Sequence, residues 1–305
     1  MEIVTITPKL RLLNLAPPIP GYERFIGAYL LHGEKSAIVD VGPRSAIPSL
    51  VGLLPSAGVS PGQVGYIILT HIHIDHAGGA GTALKALSRA RVIAHPRARP
   101  HLVEPSSLWR ASLQTLGELA ARYGEIEPVP AERLIDASDG MKIDLGGGLV
   151  LEVYLTPGHA PHHLSVFDRA ESVLLAGETA GVCLDGKAIR LATPPPFYLE
   201  EALASIDKLI ALEPARLCYG HFGCYPDGAG RLGLMRRKIV QWYEIVGTAA
   251  RDNAGPERIF DLLREHDRGL DYLKELSPEE YARERQLILN CIRGLAGAAL
   301  RETGT

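Results

Sequence analysis

The densest chemistry in the chain lies in one short run, Thr70-His71-Ile72-His73-Ile74-Asp75-His76. Imidazoles and a carboxylate crowd together there, directly after the apolar segment Tyr66–Leu69. Neutral imidazoles with a carboxylate suit a divalent transition ion such as zinc, iron or manganese. Alternate side chains of an extended loop point the same way, so His71 and His73 can reach one ion. Asp75 and His76 fall where the chain turns into the next helix and would face a second ion. Gly78 and Gly79 leave room there for backbones to pack closely. An H-x-H-x-D-H run should arise by chance roughly once in a thousand chains of this composition, which makes metal binding a hypothesis worth testing.

Three later strand ends repeat the logic. Thr156-Pro157-Gly158-His159 follows an apolar run at 149–155, Gly177-Glu178 follows 173–176, and Gly220-His221 follows 216–219. Each alone is a weak signal. Together with the first run they supply seven ligands, enough for two ions with a position left open for water. His162 and His163 follow the His159 turn, where a histidine either orients a ligand or serves packing. Tyr22, Phe197, Tyr198 and Tyr225 fall in loops expected around such a cleft, as substrate lining or as packing. Cys218 and Cys224 flank His221, but better-placed ligands exist, and none of the four cysteines forms C-x-x-C. They read as reduced cytosolic thiols.

Positioning these groups requires a particular order of elements. Strands are expected near 3–6, 27–31 and 37–41, with His32-Gly33-Glu34-Lys35 as a hairpin turn. A helix over 46–57, a capped turn at Ser60–Gln63, a buried strand at 66–69, a helix over 77–89 and a strand at 91–94 follow. Residues 106–123 read as one helix with leucines near one face. Strands return at 149–155, 164–167 and 173–176. A helix over 199–212 and a strand at 216–219 come next. From about residue 231 the pattern is helical, and Ser277-Pro278-Glu279-Glu280 is a strong helix start. Strands and helices in two batches, then a helical tail, predict a layered α/β core with a C-terminal appendage.

Composition narrows the function classes. The chain has 305 residues, 46% apolar and 22% charged, as a soluble globular protein does. A net charge of −3 provides no basic field for a nucleic-acid partner. No uncharged apolar run approaches the roughly 18 residues that a membrane helix needs. The start MEIVTITPKLRLL has no charged-then-apolar export pattern, so a cytoplasmic location is expected. Few Asn and Gln with many prolines suggest a thermophile, and the excess of Arg over Lys fits equally a GC-rich genome.

With these residues in this order, the sequence resembles the metallo-β-lactamase-fold superfamily, in its glyoxalase II-like branch of hydrolases. The resemblance covers residues 1 to about 230: the H-x-H-x-D-H signature, the P-G-H turn, the carboxylate after a glycine, and the late G-H. It implies an α/β fold, a four-layer αβ/βα sandwich with the metals at one edge of the two sheets. Residues 1–230 would form the catalytic domain. Residues 231–305 would be a helical extension packed on it, walling the cleft or forming a homodimer interface. The family's first ion would take His71, His73 and His159; its second would take Asp75, His76 and His221, with a carboxylate bridging both. That bridge is usually Asp, and the match here is Glu178, one methylene longer. Glu178 could bridge with shifted geometry, bind one ion or change the metal preference; Asp168 and Asp185 are the alternatives.

The activity implied is that of a dinuclear metal-dependent hydrolase acting on a small-molecule ester, thioester, lactone or phosphoester, with promiscuity expected. Asp75 would bind the second ion and orient the attacking water. Two other readings share the fold: an iron-dependent, dioxygenase-like oxidoreductase, and a non-catalytic metal-binding protein. A full second ligand set argues against the former.

Overall fold

The computed structural model describes residues 2–184, 186 and 188–303, so Asp185 lies outside the described residues. The first sheet holds β1 (Ile3–Thr7), β2 (Leu10–Asn14), β3 (Gly27–His32), β4 (Ser36–Val39), β5 (Val64–Ile68), β6 (Arg91–Ala94) and β7 (Leu134–Asp136) in chain order. Its first four strands are antiparallel, and β4 to β7 pair in parallel. The second sheet uses β8 (Met141–Asp144), β9 (Val150–Leu155), β10 (Leu164–Asp168) and β11 (Val173–Leu175). A separate hairpin, β12 (Val182–Leu184) with β13 (Ala188–Arg190), comes next, before β14 (Arg216–Cys218) and β15 (Cys224–Pro226). The second sheet's order is β15-β14-β11-β10-β9-β8, antiparallel except for β11 beside β14.

Period-two alternation makes the sandwich. In β5, Ile68 joins Leu12, Leu31, Val39 and Ile93 against Val153, Val166 and Leu175 of the second sheet. Its neighbour Ile67 points the other way, into a core with the helices that cover the first sheet. In the second sheet Leu175 faces inward, while Leu174 joins Phe167 and Leu217 beneath the later helices. Both sheets are therefore apolar on both faces, and the result is four layers, helix–sheet–sheet–helix.

The first helical layer contains α1 (Ile47–Leu53), α2 (Ile74–Ala77), α3 (Ala80–Ala86), α4 (Arg99–Val103), α5 (Ser106–Leu116) and α6 (Glu118–Tyr123). The second contains α7 (Leu199–Ile210), α8 (Gly228–Arg251), α9 (Pro256–His266) and α10 (Pro278–Thr303). Ser277 and Glu280 cap α10 reciprocally, as their spacing predicts. The helix is tied inward by Glu284, which pairs with Arg190 of β13 at 2.7 Å, both buried, and accepts the hydroxyl of half-buried Tyr272 at 3.0 Å.

Several sequence expectations change here. The helix expected over 106–123 is two helices, because Gly117 takes φ +56 and breaks the turn between α5 and α6. The helix expected over 77–89 is also interrupted. Gly78 and Gly79 separate α2 from α3, and a Cβ on either would fall 2.4 Å from Ile74 O or from Ile47 Cδ1. The close backbone packing inferred from those glycines is what the structure shows. Strands β2, β7 and β8 and the hairpin β12–β13 were not anticipated. Each is short, and Arg11, Asp136 and Lys142 interrupt the apolar patterns of β2, β7 and β8.

Candidate metal centre

All seven residues singled out from sequence meet at one edge of the sandwich, just past the C-terminal ends of their strands. His71, His73, Asp75 and His76 follow β5, His159 follows β9, Glu178 follows β11 and His221 follows β14. Their ligand atoms form two groups, His71-His73-His159-Glu178 and Asp75-His76-His221, each within 4.8 Å.

Glu178 touches both groups. Its Oε2 lies 2.8 Å from His159 Nε2 and 3.3 Å from His71 Nε2. Its Oε1 lies 3.3 Å from His221 Nε2. His76 Nε2 and His221 Nε2 are 3.3 Å apart, and Asp75 Oδ2 lies 3.6 Å from His221. Two nitrogens sharing a tetrahedral ion at about 2.05 Å would sit about 3.3 Å apart, so these spacings match a common ion.

The hydrogen-bond network fixes which nitrogen four of the five rings turn to the centre, and His73 brings its Nδ1 2.9 Å from His159 Nε2. His159 Nδ1–H donates to Ala192 O at 3.0 Å, and His221 Nδ1–H donates to Phe25 O at 3.3 Å. His76 Nδ1–H donates to Asp40 Oδ2 at 2.9 Å. His71 Nδ1–H donates to Thr70 Oγ1 at 3.0 Å, and that hydroxyl donates to Asp40 Oδ2 at 2.8 Å. In His71, His159 and His221 Nε2 is left as a lone pair aimed inward, and His76 turns its Nε2 to the same centre. His71 Nε2 is buried without a hydrogen-bond partner, an orphan that a divalent cation would satisfy. The donor set of five imidazoles and two carboxylates fits zinc, iron or manganese.

Asp40 was not anticipated as a functional residue. It follows β4 in a left-handed conformation, φ +57, accepts Thr70 N–H and the Thr70 hydroxyl, and holds His76. The signal in the sequence was a lone acid closing an apolar run, Ala37-Ile38-Val39-Asp40. Phe25 was missed as well. Its ring stacks on His221 at 4.1 Å between centroids.

Burial and neighbouring charge divide the histidines. Burial holds His71 well below the usual imidazole range, and burial with the nearby His159 brings His73 to about 4. Burial also acts downward on His76, but Asp75, Asp40 and Glu178 outweigh it and raise that imidazole to about 9. Glu178 is buried, yet His159 and His221 hold its carboxyl well below the ordinary value.

His163 takes a supporting position. Its Nε2 accepts Glu178 N–H at 3.1 Å, and its Nδ1 lies 2.9 Å from Thr156 Oγ1 and 3.1 Å from Thr179 Oγ1. Gly177 makes this contact possible. It has φ +56, and a Cβ there would sit 2.5 Å from His163 Nε2. His162 stays at the margin, where its Nδ1 accepts Ile72 N–H at 3.4 Å. Asp168 is not an alternative bridge. It ends β10 at the far edge and accepts the N–H groups of Ala170 and Glu171.

The aromatic candidates divide. Phe197 is buried and lines a small cavity beside His159 and Glu178, with Ala202, Met235 and Ile239. Tyr22 packs edge-on against Phe25 and Tyr123 in the core, where burial pushes its hydroxyl up to about 12. Tyr198 does not join the centre. It is half exposed and its ring lies under the Arg301 guanidinium of α10, because its backbone precedes α7 and turns the side chain outward. Tyr225 belongs to β15 rather than a loop and packs on Tyr219.

Comparison with known proteins gives the family and the fold. The sequence model of the metallo-beta-lactamase superfamily matches residues 21–221. A metallo-beta-lactamase fold-containing protein of Sulfurisphaera tokodaii, ST1585, is 30% identical over 200 residues, 64% of this chain and 72% of that one. The crystal structure titled as ST1585 from Sulfolobus tokodaii superposes with a TM-score of 0.72 at 23% identity, over 95% of this chain and 98% of that one. A metallo-beta-lactamase family protein of Thermus thermophilus, TTHA1429, gives a TM-score of 0.69 at 25% identity, over 98% and 95% of the two chains. A Bacillus subtilis protein named "Probable metallo-hydrolase YflN" is 30% identical over 174 residues, 52% of this chain and 64% of that one.

Proposed function

The chain belongs to the metallo-β-lactamase superfamily, and on that footing we propose that it is a dinuclear metal-dependent hydrolase. The observation that carries this reading is the Glu178 carboxylate, which spans the two ligand groups at 2.8 Å from His159 and 3.3 Å from His221. His71, His73 and His159 would hold one ion; Asp75, His76 and His221 would hold the other; Glu178 would bridge them. Two divalent cations bound there supply a water acidified towards neutrality and a Lewis acid for a substrate oxygen.

The chain's own residues contribute the rest. Asp75 is the more accessible carboxylate, its side chain 21% exposed against 7% for Glu178, so it is the one that orients water and accepts a proton. Asp40 and Ala192 O hold rings in register so that little reorganisation accompanies reaction. The substrate class that suits such a centre is a small ester, thioester, lactone or phosphoester. The similarity to a protein named as a metallo-hydrolase supports hydrolysis.

Metal analysis of purified protein tests the reading, with ions per chain measured for wild type and Glu178→Ala and turnover on a panel of esters, thioesters and phosphodiesters. We expect two ions in wild type, fewer in the variant, and hydrolysis lost with them. One ion per chain, unchanged in the variant, would overturn the dinuclear assignment. A full metal load with no turnover on any substrate would favour a binding protein.

A further inference from the structure

The loop that carries His221 runs from Tyr219 to Gly223 and joins β14 to β15. Cys218 and Cys224 stand at its two feet and are register partners across the antiparallel pair. Tyr219 N–H donates to Gly223 O at 3.0 Å, which makes 219–223 the hydrogen-bonded pair. The next pair out, Cys218 and Cys224, is therefore the non-hydrogen-bonded kind, with Cα atoms about 4.5 Å apart and side chains on one face. That spacing falls within the range a disulfide accepts. The two sulfurs are in contact at 2.6 Å, and both cysteines are free. Cys218 is fully buried, while Cys224 is partly exposed, which makes Cys224 the more accessible residue of the pair.

We propose that Cys218 and Cys224 are a redox modification site, a thiol pair that a peroxide converts to a disulfide across the foot of the His221 loop. The steps balance without any other reactant. Peroxide oxidises the Cys224 thiol to a sulfenic acid as its O–O bond breaks and one water leaves. The Cys218 sulfur then attacks the Cys224 sulfur, the S–O bond breaks, and a second water leaves. Two thiols lose two electrons and two protons, and peroxide is reduced to two waters. The bond forms with the strands already in register, so it staples the loop in its present shape. That loop is otherwise held by the Tyr29 hydroxyl, 2.7 Å from both Tyr219 O and Gly223 O, by Gly220 N–H on Gly177 O at 3.0 Å and by His221 on Phe25, and it contains Phe222 and Gly223 at φ +54 and +113. The modification touches no metal ligand and does not depend on the hydrolase reading.

Full-length protein is treated with hydrogen peroxide, quenched by alkylation and digested with trypsin, which leaves both cysteines in the peptide 217–231. The expected result is that this peptide loses two hydrogens and resists alkylation, while dithiothreitol restores both thiols. Cys224→Ser, which leaves every proposed ligand in place, must abolish the product. Amide exchange of residues 219–223 should slow on the order of tenfold in oxidised wild type and not in the variant, since a cross-link removes open states of a short loop. Cys224 carrying added oxygen while Cys218 is still alkylated would overturn the proposal. So would a bond to Cys183 or unchanged loop exchange.

Discussion

The two ligand groups differ in how the fold holds them. His71 and His159 are anchored through Thr70 and Ala192 O, and Glu178 is locked by its N–H to His163; the fourth member, His73, is partly exposed and lies 2.9 Å from His159 Nε2. The other group mixes a rigid residue with two looser ones. His76 sits on buried Asp40, but Asp75 is part exposed and His221 rides a loop whose ring is steadied by Phe25. Protonation follows the same division. His71 and His73 are neutral near pH 7 in the metal-free protein, whereas His76, at about 9, carries a proton that an ion must displace. One half is a prepared site, and the other is completed by what binds to it.

The largest expected effect breaks the centre at one half or the other. His71→Ala should empty the centre, because the shared Glu178 then has only one organised set of partners. His221→Ala should leave close to one ion per chain. Metal content by elemental analysis distinguishes them, and equal losses would mean the halves fill together and the contrast is wrong.

Acidity gives the next effect. An ion that displaces the His76 proton gains affinity about tenfold per pH unit well below about 9 and levels off above it, so the second ion should bind about fiftyfold more tightly at pH 9 than at pH 7. The first ion should show no such slope from His71 or His73. The same shift affects stability without metal. A raised folded-state value stabilises fully below the unfolded value of about 6.5 and loses that contribution as pH rises through about 9. Calorimetric titration in buffers of different ionisation heat counts the released proton. Release of none with the second ion would show that His76 is not held charged.

Asp40 sharpens the comparison because it serves both halves, His76 directly and His71 through Thr70. Asp40→Asn should weaken both ions by about 10- to 100-fold, as loss of an outer carboxylate does elsewhere. A loss confined to the second ion would show that the Thr70 relay carries no orientation.

Residues legible in the sequence were those whose role is local. The His71–His76 run, the Gly177-Glu178 turn and the Ser277 cap are each written in consecutive residues, and the resemblance added the family's order of strand ends. Asp40 was not legible, because its role arises only when β4 pairs in parallel with β5 and brings it under Thr70 and His76. Phe25 likewise matters through a partner 196 residues away. Tyr198 failed for the converse reason. Its position in the chain suited a cleft wall, but α10 supplies Arg301 on the outer side and draws the ring there. The single helix expected over 106–123 failed at Gly117, whose positive φ no apolar pattern reports.

The smallest effect tests the loop half alone. Phe25 stacks on His221 with rings 20° from parallel, and Arg283 of α10 lies over the Phe25 ring at 4.3 Å. An aromatic pair of this kind contributes about 0.5–1.5 kcal/mol beyond its buried area. Phe25→Leu keeps an apolar side chain and the carbonyl that accepts His221 Nδ1–H, and removes the ring stack together with that ring's contacts to Tyr22 and Arg283. The second ion's dissociation constant should rise about two- to tenfold, which is that energy expressed as affinity. The first ion's should not change, since His71 and His159 are anchored elsewhere. Equal weakening of both ions would mean that Phe25 acts by packing the sandwich edge as a whole, and that the looseness of the second half does not originate in the His221 loop.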